Sequence, residues 1–201
     1  MERIVHALEH AVGEAQSVLD VGCGNNSPLG RFQARPEHST GVDIYAPWIA
    51  ESSAKGIHDE YVQLNVLSIA ERFASRSFDV VLCCDLLEHL TKQDGRNLLD
   101  QMERVARSRV VVLTPNGFLP QGATWGNPYQ VHRAGWSAAE LHACGYRVSG
   151  LSGLALLRGE RGTIRWRPAR LWTAVSKLTE PLGHVRPELA FHLLAVKDVA
   201  V

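Results

Sequence analysis

The spacing of apolar residues predicts short strands that alternate with helices. An amphipathic helix is predicted over residues 2–15, where apolar residues recur three and four positions apart. The run at 78–84 is almost continuously apolar, which is typical of a strand buried on both faces. The predicted strands are residues 17–21, 40–44, 61–64, 78–84, 109–114, 146–148 and 189–197. Further helices are predicted over 28–34, 47–55, 67–73, 92–107 and 137–144.

This alternation favours an α/β fold, in which helices cover both faces of a parallel sheet. We expect a single domain over residues 1–201. Residues 115–135 form a long loop rich in glycine, proline and asparagine, and such a loop in a compact domain is usually functional. An arginine- and proline-rich insertion, residues 158–187, precedes the last predicted strand.

The composition narrows the class of protein. With 45% hydrophobic and 21% charged residues, the chain is neither disordered, nor a collagen, nor a coiled coil. Basic and acidic residues balance at 21 each, so we expect no duplex nucleic acid as a partner. No pair of the four cysteines has CxxC spacing. Because no signal peptide and no apolar run of membrane-spanning length is apparent, we expect a cytoplasmic protein without a transmembrane segment.

A glycine turn follows the first predicted strand. Gly22 and Gly24 permit a tight turn and a close approach of the backbone to a ligand, although a purely structural turn has the same pattern. Asp43 ends the next strand, 19 residues after Gly24. A carboxylate at that place can accept hydrogen bonds from both hydroxyls of a ribose. The pattern therefore predicts a cofactor that contains a nucleoside.

Asp20 and Ser27 distinguish between two such cofactors. The dinucleotide fingerprint has a third glycine where Ser27 stands. Asp20, two residues before the first glycine, would repel a pyrophosphate, whereas it attracts the ammonium and sulfonium groups of S-adenosylmethionine. These residues favour S-adenosylmethionine over NAD, and with it a methyltransferase over an oxidoreductase.

Five segments occur in a characteristic order: residues 19–24, Asp43, residues 64–66, residues 78–82 with 87–90, and residues 112–116. In this order they resemble the class I S-adenosylmethionine-dependent methyltransferases. The resemblance implies a Rossmann-like three-layer sandwich, whose seven-stranded, mostly parallel sheet has an antiparallel last strand. It also implies contacts to S-adenosylmethionine from Gly22, Gly24, Asp43 and Asn65, and from the backbone near Val66 and Asp85. The family usually has Asp where Asn65 stands, and the Asn amide oxygen can accept the same bond from the adenine amine.

The acceptor side begins with Asp85, Glu88 and His89, which would share one face if the segment were helical. With His132 from the long loop, they have the donor types of a divalent metal site. The pattern is similar to metal-dependent RNA 2′-O-methyltransferases and to catechol-type quinone O-methyltransferases, which have Glu at the position of Asp85. A Glu-His-Leu triplet is also frequent in class I enzymes that use no metal, and we favour that interpretation.

His132 is the leading candidate for a catalytic base, with Asp85 and His89 as its neighbours, because imidazole titrates near neutral pH. The alternative is that His132 holds the loop in place through hydrogen bonds. Three aromatic residues of the loop either stack on the acceptor or close the pocket: Trp125, Tyr129 and Trp136.

The insertion contains Arg158, Arg161, Arg165, Arg167 and Arg170, interleaved with two tryptophans. This combination can bind phosphate, RNA or a membrane surface, and it admits a phosphorylated or lipid-linked acceptor. The simpler interpretation, which we favour, is a solvated charged face.

The sequence thus predicts an S-adenosylmethionine-dependent methyltransferase that acts by direct displacement on a small-molecule or glycan-type acceptor. An oxygen acceptor is favoured over nitrogen. The alternatives are a metal-assisted RNA 2′-O-methyltransferase and a non-catalytic binding protein with the same fold.

Overall fold

A computed structural model of the chain describes residues 2–124, 126–159 and 162–199. The strands are β1 (Ser17–Val21), β2 (His38–Asp43), β3 (Glu60–Gln63), β4 (Phe78–Cys84), β5 (Ala106–Pro115), β6 (Arg147–Leu154) and β7 (Ala190–Asp198). The helices are α1 (Glu2–Val12), α2 (Ala46–Ala54), α3 (Ile69–Arg72), α4 (Lys92–Val105), α5 (Ala138–Ala143), α6 (Ala169–Leu178) and α7 (Glu180–Val185).

The strands form one seven-stranded sheet in the order β3-β2-β1-β4-β5-β7-β6. β1 pairs in parallel with β2 and β4, whereas β7 is antiparallel to both of its neighbours, β5 and β6. This confirms the predicted mostly parallel sheet with an antiparallel last strand. β6 therefore runs in the same direction as β5, and the carboxyl ends of all strands except β7 lie at one edge of the sheet, the carboxyl edge.

Two hydrophobic clusters, one on each face of the sheet, complete the three predicted layers. Side chains of β4 alternate between them: Val80 and Leu82 join α1, while Val81 and Cys83 join α4. This alternation follows from the pleat of a strand, and it explains why β4 is apolar along its whole length.

Three predicted elements differ most from the structure. The helix predicted over 28–34 is a short 3₁₀ turn, Pro28–Arg31, since Gly30 weakens a helix and the backbone is extended at Phe32. The helix predicted over 67–73 is a 3₁₀ turn at Val66–Ser68 followed by α3. The strand predicted over 146–148 extends to Leu154, because pairing with β7 continues along it. The glycines and serines of this second half lack a strand pattern, so the sequence did not predict it.

The segment between β6 and β7 leaves the sheet at the carboxyl edge and contains α6 and α7. Both helices pack on β6. Arg3 of α1 forms an ion pair with Glu180 of α7, which ties the segment to the first helix. Within the described residues, no helix has the length and hydrophobicity needed to cross a bilayer.

Candidate active site

A cavity of ≈ 400 Å³ lies at the carboxyl edge, where β1 stands between β2 and β4. The chain reverses its direction across the sheet at β1, and ligands of open α/β sheets bind at such a point. We call this cavity the glycine-loop pocket. All seven residues predicted to contact the cofactor line it: Asp20, Gly22, Gly24, Asp43, Asn65, Val66 and Asp85.

The glycine turn has the backbone conformation that its sequence predicts. Gly22 and Gly24 have φ values of 72° and 56°, in the left-handed region that side chains disfavour. A Cβ at Gly22 would also lie 2.7 Å from a methyl carbon of Leu86. The amides of Gly22 and Cys23 both donate to the carbonyl oxygen of Val42, so the turn is fixed to the end of β2.

Asp43 connects the glycine turn to the chain that follows β2. Its Oδ2 accepts a hydrogen bond from the Gly24 amide at 2.9 Å, and its Oδ1 accepts one from the Tyr45 amide at 2.8 Å. The pKa of Asp43 is raised, because the effect of burial exceeds that of the two backbone donors, which lower it. The predicted ribose acceptor therefore also shapes the loop beside it.

Asp20 has a partner that the sequence did not suggest. Its Oδ2 lies 2.9 Å from Nε2 of His58 and accepts a hydrogen bond from Oγ of Ser27 at 2.5 Å. Asp20 is 1% exposed and His58 5% exposed. No local pattern links Asp20 to His58, since 38 positions separate them; only the fold brings them together.

An aromatic group at the pocket was only partly predicted. Trp48 lines the glycine-loop pocket, and an added Cβ at Gly24 would lie 3.6 Å from its ring. Tyr45 contacts both Trp48 and Tyr129 edge to face, at centroid distances of 5.8 and 6.5 Å. Tyr129 lines the pocket, as expected of an acceptor-binding residue, but Trp48 was missed because it lies inside a predicted helix.

Asp85 and Glu88 carry carboxyl groups just after β4; Glu88 is buried, whereas Asp85 is exposed at the pocket. The segment is not an α-helix: Asp85 has a φ of 50°, and Leu87–His89 form a 3₁₀ turn. Asp85 lines the pocket, while Glu88 lies behind it and accepts a hydrogen bond from Oγ1 of Thr114 at 3.0 Å. Desolvation by the surrounding protein raises the pKa of both carboxyl groups, and the negative charge of Asp85 raises that of Glu88 further.

His89 and His132 are in contact, with ring centroids 4.8 Å apart. His89 lines the pocket, and burial together with His132 lowers its pKa to about 4, so the ring is neutral at pH 7. Nδ1 of His132 lies 2.6 Å from the carbonyl oxygen of Leu119, and Nδ1 of His89 lies 3.3 Å from that of Val131. A carbonyl only accepts, so Nδ1 of each ring carries a proton, and in a neutral ring the lone pair is then on Nε2.

Three of the four predicted metal-site residues are close together. One ligand atom each from Glu88, His89 and His132 lies within 4.8 Å of the others, and Asp85 is outside this group. Neutral imidazoles with their Nδ1–H held by carbonyls are the usual form of metal-bound histidines. The three residues therefore fit a divalent cation by donor type and by orientation.

Trp136 does not line the pocket, and its predicted contact with the acceptor is wrong. It is 1% exposed in the core, its indole N–H donates to the Leu87 carbonyl oxygen at 3.3 Å, and Nζ of Lys92 lies 4.3 Å from its ring centroid. His132 is not on the pocket wall either; it contacts the wall through His89. Trp125, the third predicted aromatic contact, lies outside the described residues.

Comparison with known proteins agrees with this geometry. A family model described as a methyltransferase domain matches residues 19–114, which include the glycine turn, Asp43 and the Asp85–His89 turn. Residues 19–114 therefore carry a methyltransferase domain. The resemblance noted in the sequence is thereby confirmed.

Solved structures with this fold include the N-methyltransferase NodS from Bradyrhizobium japonicum in complex with S-adenosylhomocysteine. It has a TM-score of 0.64 and 14% identity over 100% of this chain and 87% of its own. The small RNA methyltransferase HEN1 has a TM-score of 0.62 and 16% identity, over 100% of this chain and 25% of its own. At such identities these likenesses show the fold alone.

A curated relative is the ubiquinone biosynthesis O-methyltransferase of Pseudomonas fluorescens. It is 33% identical over 91 residues, which are 43% of this chain and 39% of the relative. The match thus spans well under half of the relative's length, so it concerns the domain rather than a whole enzyme.

Proposed function

We propose that the protein is an S-adenosylmethionine-dependent O-methyltransferase with a small-molecule or glycan-type acceptor. The observation that carries the proposal is the convergence of all seven predicted cofactor contacts on one pocket, whose wall continues into Asp85 and His89. The glycine turn and Asp43 would hold the nucleoside, Asn65 and Val66 the adenine, and Asp20 would favour the cationic end of the cofactor.

The proposed reaction is an in-line displacement. The acceptor oxygen forms a bond to the methyl carbon while the carbon–sulfur bond breaks, and its electron pair returns to sulfur as the thioether S-adenosylhomocysteine. The hydroxyl proton passes to a base of the protein. Most of the acceleration comes from alignment of the two reactants in the pocket.

An oxygen acceptor is supported by the bases beside the pocket. A hydroxyl must lose a proton during transfer, whereas a neutral amine already offers its lone pair. His89 is neutral at pH 7, His132 and the buried Glu88 lie next to it, and the carboxyl group of Asp85 lines the pocket. The similarity to ubiquinone biosynthesis O-methyltransferases supports the same choice.

A metal-assisted RNA 2′-O-methyltransferase is the second candidate, favoured by the cluster of Glu88, His89 and His132. These three residues would hold a divalent cation, which when bound would lower the pKa of an acceptor hydroxyl. In either candidate the Nδ1–H bonds to the carbonyls of Leu119 and Val131 orient the imidazoles.

The test is a methyl-transfer assay with labelled S-adenosylmethionine, using catechol and a short single-stranded RNA as acceptors, in EDTA and with Mg²⁺ or Mn²⁺. We expect methylation of catechol that falls at least about a hundredfold in His89→Ala and His132→Ala. Affinity for S-adenosylhomocysteine should stay unchanged in His132→Ala.

His142→Ala is the matched control, because His142 is an exposed histidine of α5 whose Nδ1 also lies near a carbonyl oxygen. Methylation of RNA but not catechol, only with metal, would select the second candidate. Normal turnover in His132→Ala would reduce that residue to loop packing.

A further inference from the structure

The segment between β6 and β7 exposes an unusual number of apolar side chains. Of the nine large apolar residues exposed in the described part of the chain, seven belong to this segment. They are Leu156, Trp166, Leu171, Leu178, Leu182, Val185 and Leu189. Scattered exposed apolar residues are normal on a soluble protein, whereas a concentration of this kind marks an interaction surface.

Four of these residues form a stripe along α6 and α7. Leu171 and Leu178 are seven positions apart, so they lie on one face of α6, and Leu182 and Val185 continue the face four and seven positions later. Helical hydrogen bonds cross the junction, because the Thr179 amide donates to Val175 and the Gly183 amide to Thr179.

The opposite side of the two helices is packed against β6. Ser176 is buried beside Gly153, and Gly183 is buried beside Gly150. A Cβ at Gly150 would lie 2.2 Å from the Gly183 carbonyl oxygen, so the contact is close. The helices are therefore packed closely on β6, and the apolar stripe lies on their exposed side.

Basic residues border the stripe. Arg170 and Lys177 are exposed and also seven positions apart, which places them in a parallel row beside Leu171 and Leu178. Residues 156–189 contain seven basic and three acidic residues, although the whole chain is neutral. A protein partner would need an acidic apolar surface to match this face, whereas an anionic lipid surface supplies both features everywhere.

Trp166 completes the arrangement at the start of α6. It is 48% exposed, its ring lies 6.0 Å from that of Trp172, and the Arg165 guanidinium lies 6.0 Å from its centroid. Tryptophan beside arginine is enriched where apolar and polar phases of a membrane meet. An apolar stripe, a basic border and an interfacial tryptophan are the features of a helix that lies in a membrane surface.

We propose that the α6–α7 face, comprising the stripe, Arg170, Lys177 and Trp166, docks on an anionic phospholipid surface. The segment leaves the sheet at the carboxyl edge, the same edge that holds the glycine-loop pocket. Nδ2 of Asn116, just after β5, donates to the carbonyl oxygens of Pro187 and Ala190 and fixes the end of the segment at that edge. Docking would therefore hold the carboxyl edge near the lipid.

The test is co-sedimentation of the full chain with vesicles of phosphatidylcholine alone or mixed with phosphatidylglycerol. We expect binding to the anionic vesicles, weakened by added salt. The charge reversal R170E/K177E and the apolar-to-polar change L178S/V185S should each reduce the vesicle partition coefficient at least about tenfold. R96E, which reverses an exposed arginine of α4, is the matched control and should bind like the wild type.

Unchanged thermal midpoints and unchanged S-adenosylhomocysteine affinity of the variants will show that folding is intact. Absence of binding to anionic vesicles, or an equal loss in R96E, would overturn the proposal. A lipid-free dimer abolished by L178S/V185S would assign the stripe to a second copy of the chain instead. RNA binding lost in R170E/K177E, with no vesicle binding, would likewise replace lipid by RNA.

Discussion

At the scale of single residues, Asp43 carries most of the predicted recognition of the cofactor. Its two oxygens already hold the amides of Gly24 and Tyr45, so its removal loosens the loop as well as deleting a ribose acceptor. Hydrogen bonds to a charged group contribute about 1.5–3 kcal/mol each. We therefore expect Asp43→Ala to weaken S-adenosylhomocysteine binding about tenfold to a hundredfold in calorimetry.

Asp59→Ala is the control for this prediction, because Asp59 also accepts hydrogen bonds from β2, but at Ser39 near the start of the strand. Its affinity should equal that of the wild type. Unchanged affinity in Asp43→Ala would remove Asp43 from the cofactor site.

His58 leads to a second prediction. His58→Asn withdraws a partner from a carboxylate that is 1% exposed, and an unsatisfied buried polar group costs about 1–3 kcal/mol. The free energy of unfolding in urea should fall by about that amount, and S-adenosylhomocysteine affinity should fall with it. His38→Asn, at the exposed start of β2, should change neither. A variant as stable as the wild type would mean that His58 does not support Asp20.

Asp43 was predicted as a site residue, whereas the contact of His58 with Asp20 was not. The difference shows which parts of the site can be predicted from the sequence. The seven predicted cofactor contacts lie at or just after the carboxyl ends of strands, and the parallel topology brings these ends together. Local motifs and the family resemblance were therefore sufficient to predict residues that line one pocket. The Asp20–His58 contact and the burial of Trp136 depend on tertiary packing between distant segments. An aromatic residue in a polar loop has the same local pattern whether it binds a ligand or fills the core.

At the scale of elements, the packing around Gly95 explains why α4 contains a glycine, a residue that weakens helices. A Cβ at this position would lie 2.5 Å from Cζ2 of Trp136, whose ring is fixed in the core. Alanine would gain about 1 kcal/mol of helix propensity, whereas overpacking a core costs about 1–3 kcal/mol. We expect Gly95→Ala to lower the free energy of unfolding by about 1 kcal/mol.

The double variant Gly95→Ala/Trp136→Phe tests the cause of that loss. The smaller ring makes room for the new methyl group, so the two changes should be less harmful together than the sum of the single variants. A gain in stability for Gly95→Ala alone would contradict the packing account of the glycine.

Elements were predicted well where periodicity was strong and poorly where packing decides. β4 was predicted with its observed bounds because it is buried on both faces. The second half of β6 was missed, since glycine and serine form a strand there only through pairing with β7. The helix predicted at 28–34 gives way to a 3₁₀ turn that Ser27 caps through the Leu29 amide.

At the scale of the whole molecule, His192 on β7 gives stability a pH dependence. Burial is the main cause that lowers its pKa from 6.5 to about 4, and its Nδ1 lies 2.8 Å from Oγ of Ser152. Between pH 6.5 and about pH 4, His192 carries a proton in the unfolded chain but not in the folded chain. Stability therefore falls as the pH falls through this window.

His192→Asn should remove this contribution while keeping a nitrogen near Ser152. Compared with the variant, the wild type should lose up to about 2 kcal/mol of unfolding free energy between pH 7 and pH 5. Urea titrations of both proteins at the two pH values measure the difference. Asp85 and Glu88, whose pKa values are raised, act in the opposite direction in both proteins, so their contributions cancel in this comparison. An equal pH dependence of the two proteins would contradict the account.

The fold of the whole chain was predictable because strands and helices alternate and because motifs occur in a characteristic order. The antiparallel direction of β7 came from the family resemblance, since no periodicity encodes strand direction, whereas its place between β5 and β6 was not predicted. The composition of the arginine-rich insertion did not show which of its residues are buried and which are exposed. Its partition into a packed side and an exposed apolar stripe emerged only when α6 and α7 were seen against β6.

The central claim is that the glycine-loop pocket binds S-adenosylmethionine rather than a dinucleotide. A calorimetric titration with S-adenosylhomocysteine and, separately, with NAD tests it directly and needs no knowledge of the acceptor. We predict one site per chain for S-adenosylhomocysteine, with a dissociation constant near micromolar, or about −8 kcal/mol, and no heat of binding from NAD. Binding of NAD, or of neither ligand, would contradict the claim and would leave a methyltransferase fold with another role.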